Sequence, residues 1–134
     1  GYNIIFAWDE LNALAKDSLE AARHKLMDIL CNYAGYRKCV PILVFDAYRV
    51  KGAGREQETW HNLHVIYTRE AETADMFIER ATHELAKNHR VRVVSSDGAE
   101  QIIILGNGAL RVSARAFERE VCAVEAEIRE FLDQ

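Results

Sequence analysis

The run Val40 to Asp46, VPILVFD, constrains this chain more than any other stretch. It is almost unbroken in β-branched and aromatic side chains, and it closes on an acid. A strand with one wet face alternates apolar and polar residues, whereas one without alternation is covered on both faces. Helices laid on the two sides of a sheet provide that cover. Leu63 to Tyr67 predicts a second strand, Val91 to Val94 a third, and Leu110 to Val112 a minor one.

The segments between them carry helical periodicity. Leu19, Ala22, Leu26, Ile29, Leu30 and Tyr33 draw one apolar stripe, with Ser18 as N-cap and Gly35 as the stop. A shorter helix is expected before it, around Glu10 to Ala15. Thr73 caps a helix with Ala74, Phe77, Ile78, Ala81 and Leu85 on one face. Ser113 caps the last, with Phe117, Val121, Val124, Ile128 and Phe131. A short helix is expected around Ala99 to Leu105, ending near Gly106. The opening GYN reads as a turn, and the polar stretch Lys51 to Thr59, with Gly52 and Gly54, as a loop. Alternating strands and amphipathic helices predict a three-layer α/β/α sandwich on a mainly parallel sheet.

The length of 134 residues supports one core and not two, so a single domain over residues 1–134 is expected. Apolar residues at 49% and charged residues at 28% exclude wholesale disorder. No apolar run approaches the ~20 residues of a membrane span, and no secretory signal opens the sequence. The three cysteines, Cys31, Cys39 and Cys122, show no CxxC spacing, which predicts free thiols in a reducing cytoplasm. A net charge of −4 excludes nucleic-acid affinity based on overall charge, so such binding has to be local.

Acids collect where strands end, the edge at which open parallel sheets bind ligands. Asp46 closes the first strand, Glu70 and Glu72 follow the second, Asp75 enters the next helix, and Asp97 closes the third strand. Glu72, Asp75 and Glu79 fall at i, i+3 and i+7, on one side of a helix. Two carboxylates ~5 Å apart at an effective dielectric of 20 repel by roughly 3 kcal/mol. That is about two pKa units, so the cluster resists full ionisation without a cation. Hard oxygen donors suit Mg²⁺ or Mn²⁺, and such an ion orients a phosphodiester and activates water. The plainer reading is that these acids are caps and helix-dipole partners.

Five stretches together resemble a known family. GYNIIFAW at Gly1 to Trp8, VFDAYRVKG at Val44 to Gly52 and YTREAETAD at Tyr67 to Asp75 are similar to the bacterial YacP-like group of NYN domains. SSDGAEQ at Ser95 to Gln101 and GNGALRVSARAF at Gly106 to Phe117 fit the same group, which is related to the PIN-domain nucleases. The resemblance implies a PIN-like sandwich and a metal-dependent endoribonuclease acting on mRNA in the company of ribosomes. By position it implies that Asp75 and Asp97 bind metal and that Asn3 steadies the site. Asp46 and Glu72 match secondary acids, and Ser96 would sit beside the metal and face the phosphate. The family pattern also carries a hydrophobic strand ending in Asp immediately before the GYN glycine, and this sequence opens on that glycine.

An acidic pocket needs basic groups to hold a polyanion. Arg49, Lys51 and Arg55, followed by the aromatic Trp60 and by His61, make one candidate RNA surface. Arg111, Arg115 and Arg119, spaced by four, make another. No GxGxxG or GK[ST] loop marks a nucleotide site. The leading expectation is a cytoplasmic Mg²⁺- or Mn²⁺-dependent endoribonuclease for single-stranded RNA, with the ribosome as a partner and no membrane. A catalytically silent RNA- or ribosome-binding module is the second reading, and a phosphatase or DNA nuclease the third. The stripe of the last helix serves either the core or a dimer seam.

Overall fold

The computed structural model describes residues 1–46, 57–69, 72–95, 103–104 and 108–133. The chain opens with three helices, α1 (Tyr2–Ala7), α2 (Asp9–Asp17) and α3 (Leu19–Arg37). Strands β1 (Ile42–Phe45), β2 (Gln57–Trp60) and β3 (Leu63–Tyr67) follow, then α4 (Ala74–Leu85). The remainder is β4 (Arg92–Ser95), β5 (Ile103–Ile104), β6 (Leu110–Ser113) and α5 (Ala114–Leu132).

The molecule is α/β, and its described strands form two three-stranded sheets of the same design, ordered β1-β3-β2 and β4-β6-β5. In each, a middle strand pairs in parallel with one neighbour and antiparallel with the other. The doubly covered reading of VPILVFD holds from Leu43 to Phe45, all buried, while Val40 and Ile42 stay exposed at the strand's open start. Phe45 is fully buried, with Tyr2 at 4.9 Å and Tyr67 at 5.9 Å between ring centroids.

Four local expectations change. GYN is the start of α1, not a turn. A Cβ on Gly1 would run into the Phe45 ring, so glycine permits this close approach of α1 to β1. Gly35 lies inside α3, which ends one turn later at Lys38 in the left-handed region (φ 55°). Packing of Tyr33 and Ala34 carries the helix past its glycine, because tertiary contacts outweigh about 1 kcal/mol of propensity. Residues 57–60 form β2, since an edge strand needs a hydrogen-bonded neighbour more than an apolar pattern. Ile103 and Ile104 belong to a strand, the outcome β-branching favours for so short an apolar run. The rest of that expected helix, and Lys51 to Arg55, lie outside the described residues.

The core forms where the α1–α3 layer meets α5. Ala22, Leu26, Met27, Leu30 and Tyr33 of α3 are buried with Phe117, Val121 and Val124 of α5. Tyr33 meets Phe117 edge-on at 5.1 Å. The α5 stripe leaves the core before its end: Ile128 is half-buried and Phe131 is 74% exposed. A polar clamp joins β4, α5 and α3. Arg92 of β4 donates to both carboxylate oxygens of Glu120 at 3.0 and 2.6 Å, and Tyr33 Oη donates to Glu120 at 2.7 Å. The Arg92 hydrogen bonds, joined by that of Tyr33, hold the Glu120 carboxyl at about 2, below its ordinary range.

Candidate functional site

The carboxyl ends of β1 and β3 lie side by side, because Phe45 pairs with Tyr67 and the Thr68 N–H donates to the Phe45 carbonyl at 3.0 Å. The next residue of β1 is Asp46, half-buried. Its Oδ1 accepts from the backbone N–H of Ala74 at 2.7 Å, and Thr73 Oγ1 accepts from Met76 N–H at 3.2 Å. The start of α4 is therefore capped twice, once by its own N-cap and once across 28 residues.

Asp75 stands exposed in the first turn of α4. The Gly1 nitrogen, which donates to the Val44 carbonyl at 2.6 Å, feels the charge of both Asp46 and Asp75. Asp46 thus meets the turn that carries Asp75, and both acids lie within electrostatic reach of the start of α1, in whose first turn Asn3 is exposed.

α1 also fixes where the second sheet sits. At its far end the Trp8 indole donates to the Ala114 carbonyl at 2.8 Å, immediately beyond β6. Six helical residues rise roughly 9 Å. α1 thus spans from the carboxyl end of β1 to that of β6, and the carboxyl end of β4 lies beside the latter, since Ser95 pairs with Ser113. Ser96 and Asp97 follow β4 in the chain and lie outside the described residues.

Glu72 turns elsewhere. It precedes the Thr73 cap, so the helical i, i+3, i+7 spacing does not include it. Its carboxylate accepts from Arg80 Nη2 at 3.0 Å and Nε at 3.3 Å, and the Arg80 guanidinium lies 5.2 Å over the Phe77 ring.

The proposed RNA contacts are dispersed. Arg49, Lys51 and Arg55 lie outside the described residues. Trp60 pairs with Leu63 at the opposite end of β3 from Asp46, roughly 16 Å away along the strand. It sits there with His24 at 6.1 Å and His61 at 5.4 Å between ring centroids. Arg111 is half-buried on β6, whereas Arg115 and Arg119 are exposed on α5, so the three share no helix ridge.

Register, more than spacing, marks a further residue of this region. Thr68 is 4% exposed, and its hydroxyl has no hydrogen-bond partner among the described residues. The cysteines are free, and burial pushes each thiol pKa up, away from nucleophilic behaviour.

Among the described residues, no three His, Cys, Asp or Glu side chains converge on one metal position. Asp46 and Asp75 supply two hard oxygen donors, and Thr68, next in register to Asp46, carries a buried hydroxyl without a partner among the described residues. Carboxylate and hydroxyl oxygens are hard donors, the type that Mg²⁺ and Mn²⁺ prefer. No described helix is long and apolar enough to cross a membrane.

Comparison with known proteins supplies the wider setting. The YacP-like NYN domain model matches residues 1–134. The chain is 43% identical over 129 residues to the uncharacterized protein YacP of Bacillus subtilis (strain 168), covering 96% of this chain and 75% of that protein. It superimposes on the crystal structure of Rae1 (YacP) from Bacillus subtilis with a TM-score of 0.81 at 41% identity, over 98% of this chain and 76% of that one. A crystal structure of a single-substitution mutant of the same protein gives 0.79 at 40%, over 97% and 76%. The family is nuclease-like and its function RNA-related. The parallel strand pairs with helical cover, the acids at their carboxyl ends and the whole-chain match agree: this chain belongs to the YacP-like NYN domain family.

Proposed function

We propose that the chain is an Mg²⁺- or Mn²⁺-dependent endoribonuclease cutting single-stranded RNA, with mRNA at the ribosome in the cytoplasm as its setting. The observation that carries this reading is the convergence of Asp46 and Asp75 beside the start of α4. Asp75 and Asp97 are the residues that would hold the cation, and Asp46 lends its second oxygen to the same region. A bound divalent ion supplies Lewis-acid stabilisation of the phosphodiester and a more acidic water.

The chain's own residues do the positioning. The Ala74 N–H fixes Asp46, and the Thr73 cap fixes the turn that carries Asp75. The positive end of α4 favours the anionic carboxylates and a phosphate alike. Glu72, held by Arg80, acts through the placement of α4, while Asn3 lies in the first turn of α1 beside the Gly1 nitrogen and Ser96 would face the phosphate. Arg115 at the start of α5, together with Arg111, Arg49, Lys51 and Arg55, offsets the repulsion between an acidic centre and a polyanion.

The test is cleavage of matched RNA and DNA oligonucleotides by wild type and Asp97→Asn, with Mn²⁺ and with EDTA. RNA cleavage lost in EDTA and in the variant, with the fold retained, is the expected result. Full activity in EDTA sinks the metal mechanism. A second reading, a silent RNA-binding module, is favoured by the engagement of Glu72 with Arg80 and of Asp46 with Ala74. Saturable Mn²⁺ binding separates the two.

A further inference from the structure

Thr68 carries the one buried hydroxyl without a partner among the described residues, and it sits at the end of β3 where the acids gather. The backbone bond from Thr68 N–H to the Phe45 carbonyl extends the parallel register by one residue and sets Thr68 beside Asp46. The stacked rings of Phe45 and Tyr67 define one face of this pair of strands. Strand alternation turns the next residues, Asp46 and Thr68, to the other face. That is the face α4 covers, as the bond between Asp46 and Ala74 shows.

A buried hydroxyl without a partner is unfavourable, and valine fills the same volume without that penalty. A local rule broken in this way points to function when it is broken beside a site. Resting on the metal-dependent reading above, we infer that Thr68 is a positioning residue. When a divalent cation is held at the acids, its hydroxyl donates to the Asp46 carboxylate and fixes the oxygen that the Ala74 N–H leaves free. Rotation about χ1 moves a threonine hydroxyl between staggered positions without moving the backbone. Hydrogen bonds of this outer kind set ligand orientation, and their removal lowers metal affinity by about 10–100-fold.

The experiment compares wild type, Thr68→Val and Thr68→Ser for Mn²⁺ binding by calorimetry and for thermal melting without metal. Thr68→Val is expected to melt at or above the wild-type temperature and to bind Mn²⁺ about tenfold more weakly. Thr68→Ser, which keeps the hydroxyl, restores binding. Equal Mn²⁺ affinity in wild type and Thr68→Val overturns the role of Thr68 and leaves the metal reading standing. A clear drop in the melting temperature of Thr68→Val also overturns it, by showing that the hydroxyl already has a partner in the free protein. Absence of Mn²⁺ binding by wild type overturns the metal reading itself, and this inference with it.

Discussion

α4 and α5 begin in the same way and end in different surroundings. Each follows the middle strand of a three-stranded sheet, and each is capped by a hydroxyl that accepts from the N–H three residues on. α5 then buries Phe117, Val121 and Val124, while α4 fully buries only Thr82. Its apolar face, Phe77, Ile78, Ala81 and Leu85, is half-buried throughout. The difference comes from the opening helices. Trp8 and Tyr33 close over Phe117, and no described element does the same for α4. One helix is therefore held by packing and the other by hydrogen bonds at its first turn. Binding elements are drawn from the less stable parts of a fold, and Asp75 sits on the loosely packed helix.

The sharpest way to break this comparison is to truncate one aromatic ring in each helix. Phe117→Ala should lower the unfolding free energy by about 3–5 kcal/mol, as for a well-packed core ring. Phe77→Ala, half-buried beneath Arg80, should lower it by about 1 kcal/mol. Equal losses in urea titrations would show that α4 is core after all. Next in size is an effect on activity alone. Asp75→Asn should reduce RNA cleavage about a hundredfold or more, the equivalent of several kcal/mol of lost metal assistance. Being exposed, the same change should leave stability within about 0.5 kcal/mol of wild type. A substantial loss of stability would make Asp75 a structural residue.

The two helices also differ in how legible they were. The α5 stripe and its Ser113 cap are plain in the periodicity, because a buried face must be apolar. Phe131 continues that periodicity and yet lies exposed, since period gives direction and not the extent of the neighbouring layer. The Thr73 cap of α4 was readable too, whereas the second cap was not. Asp46 and Ala74 meet only because β1 and β3 run in parallel, a relation between distant stretches that local spacing does not encode. The same reason hides Thr68. Glu72 shows the opposite error: it fits a helical spacing on paper, but the helix starts two residues later and Arg80 claims its carboxylate. β2 and β5 were missed because each is made by its partner more than by its own pattern.

A smaller effect distinguishes the α5 side by pH. The Glu120 carboxyl is held at about 2 by Arg92, so its folded-state pKa lies below its unfolded one. Its contribution is therefore fully present above the ordinary carboxyl range and is lost as the pH falls toward 2. Arg92 is 41% exposed, so screening limits the contribution to roughly 1 kcal/mol. Glu120→Gln should show that deficit at pH 7 in urea melts, and the gap to wild type should close between about pH 4.5 and 2. A deficit independent of pH would mean that the amide is tolerated or rejected on shape, and that the ion pair is not the agent.

The finest discrimination comes from the caps themselves, where sequence chemistry is matched and only the surroundings differ. Ser113→Ala and Thr73→Ala each remove one acceptor from a helix's first turn, at about 0.5–1 kcal/mol. In α5 the loss must appear in global unfolding, because that helix separates from the core only when the core itself opens. In α4 the second cap from Asp46 survives, and the helix can fray locally. Thr73→Ala should thus shift the global midpoint by a few tenths of a kcal/mol at most, while amide exchange across the first turn of α4 accelerates severalfold. Uniform exchange rates with a full global loss would place α4 in the same cooperative unit as α5. The contrast between a packed helix and a tethered one would then no longer explain why Asp46 and Asp75 meet at the start of α4.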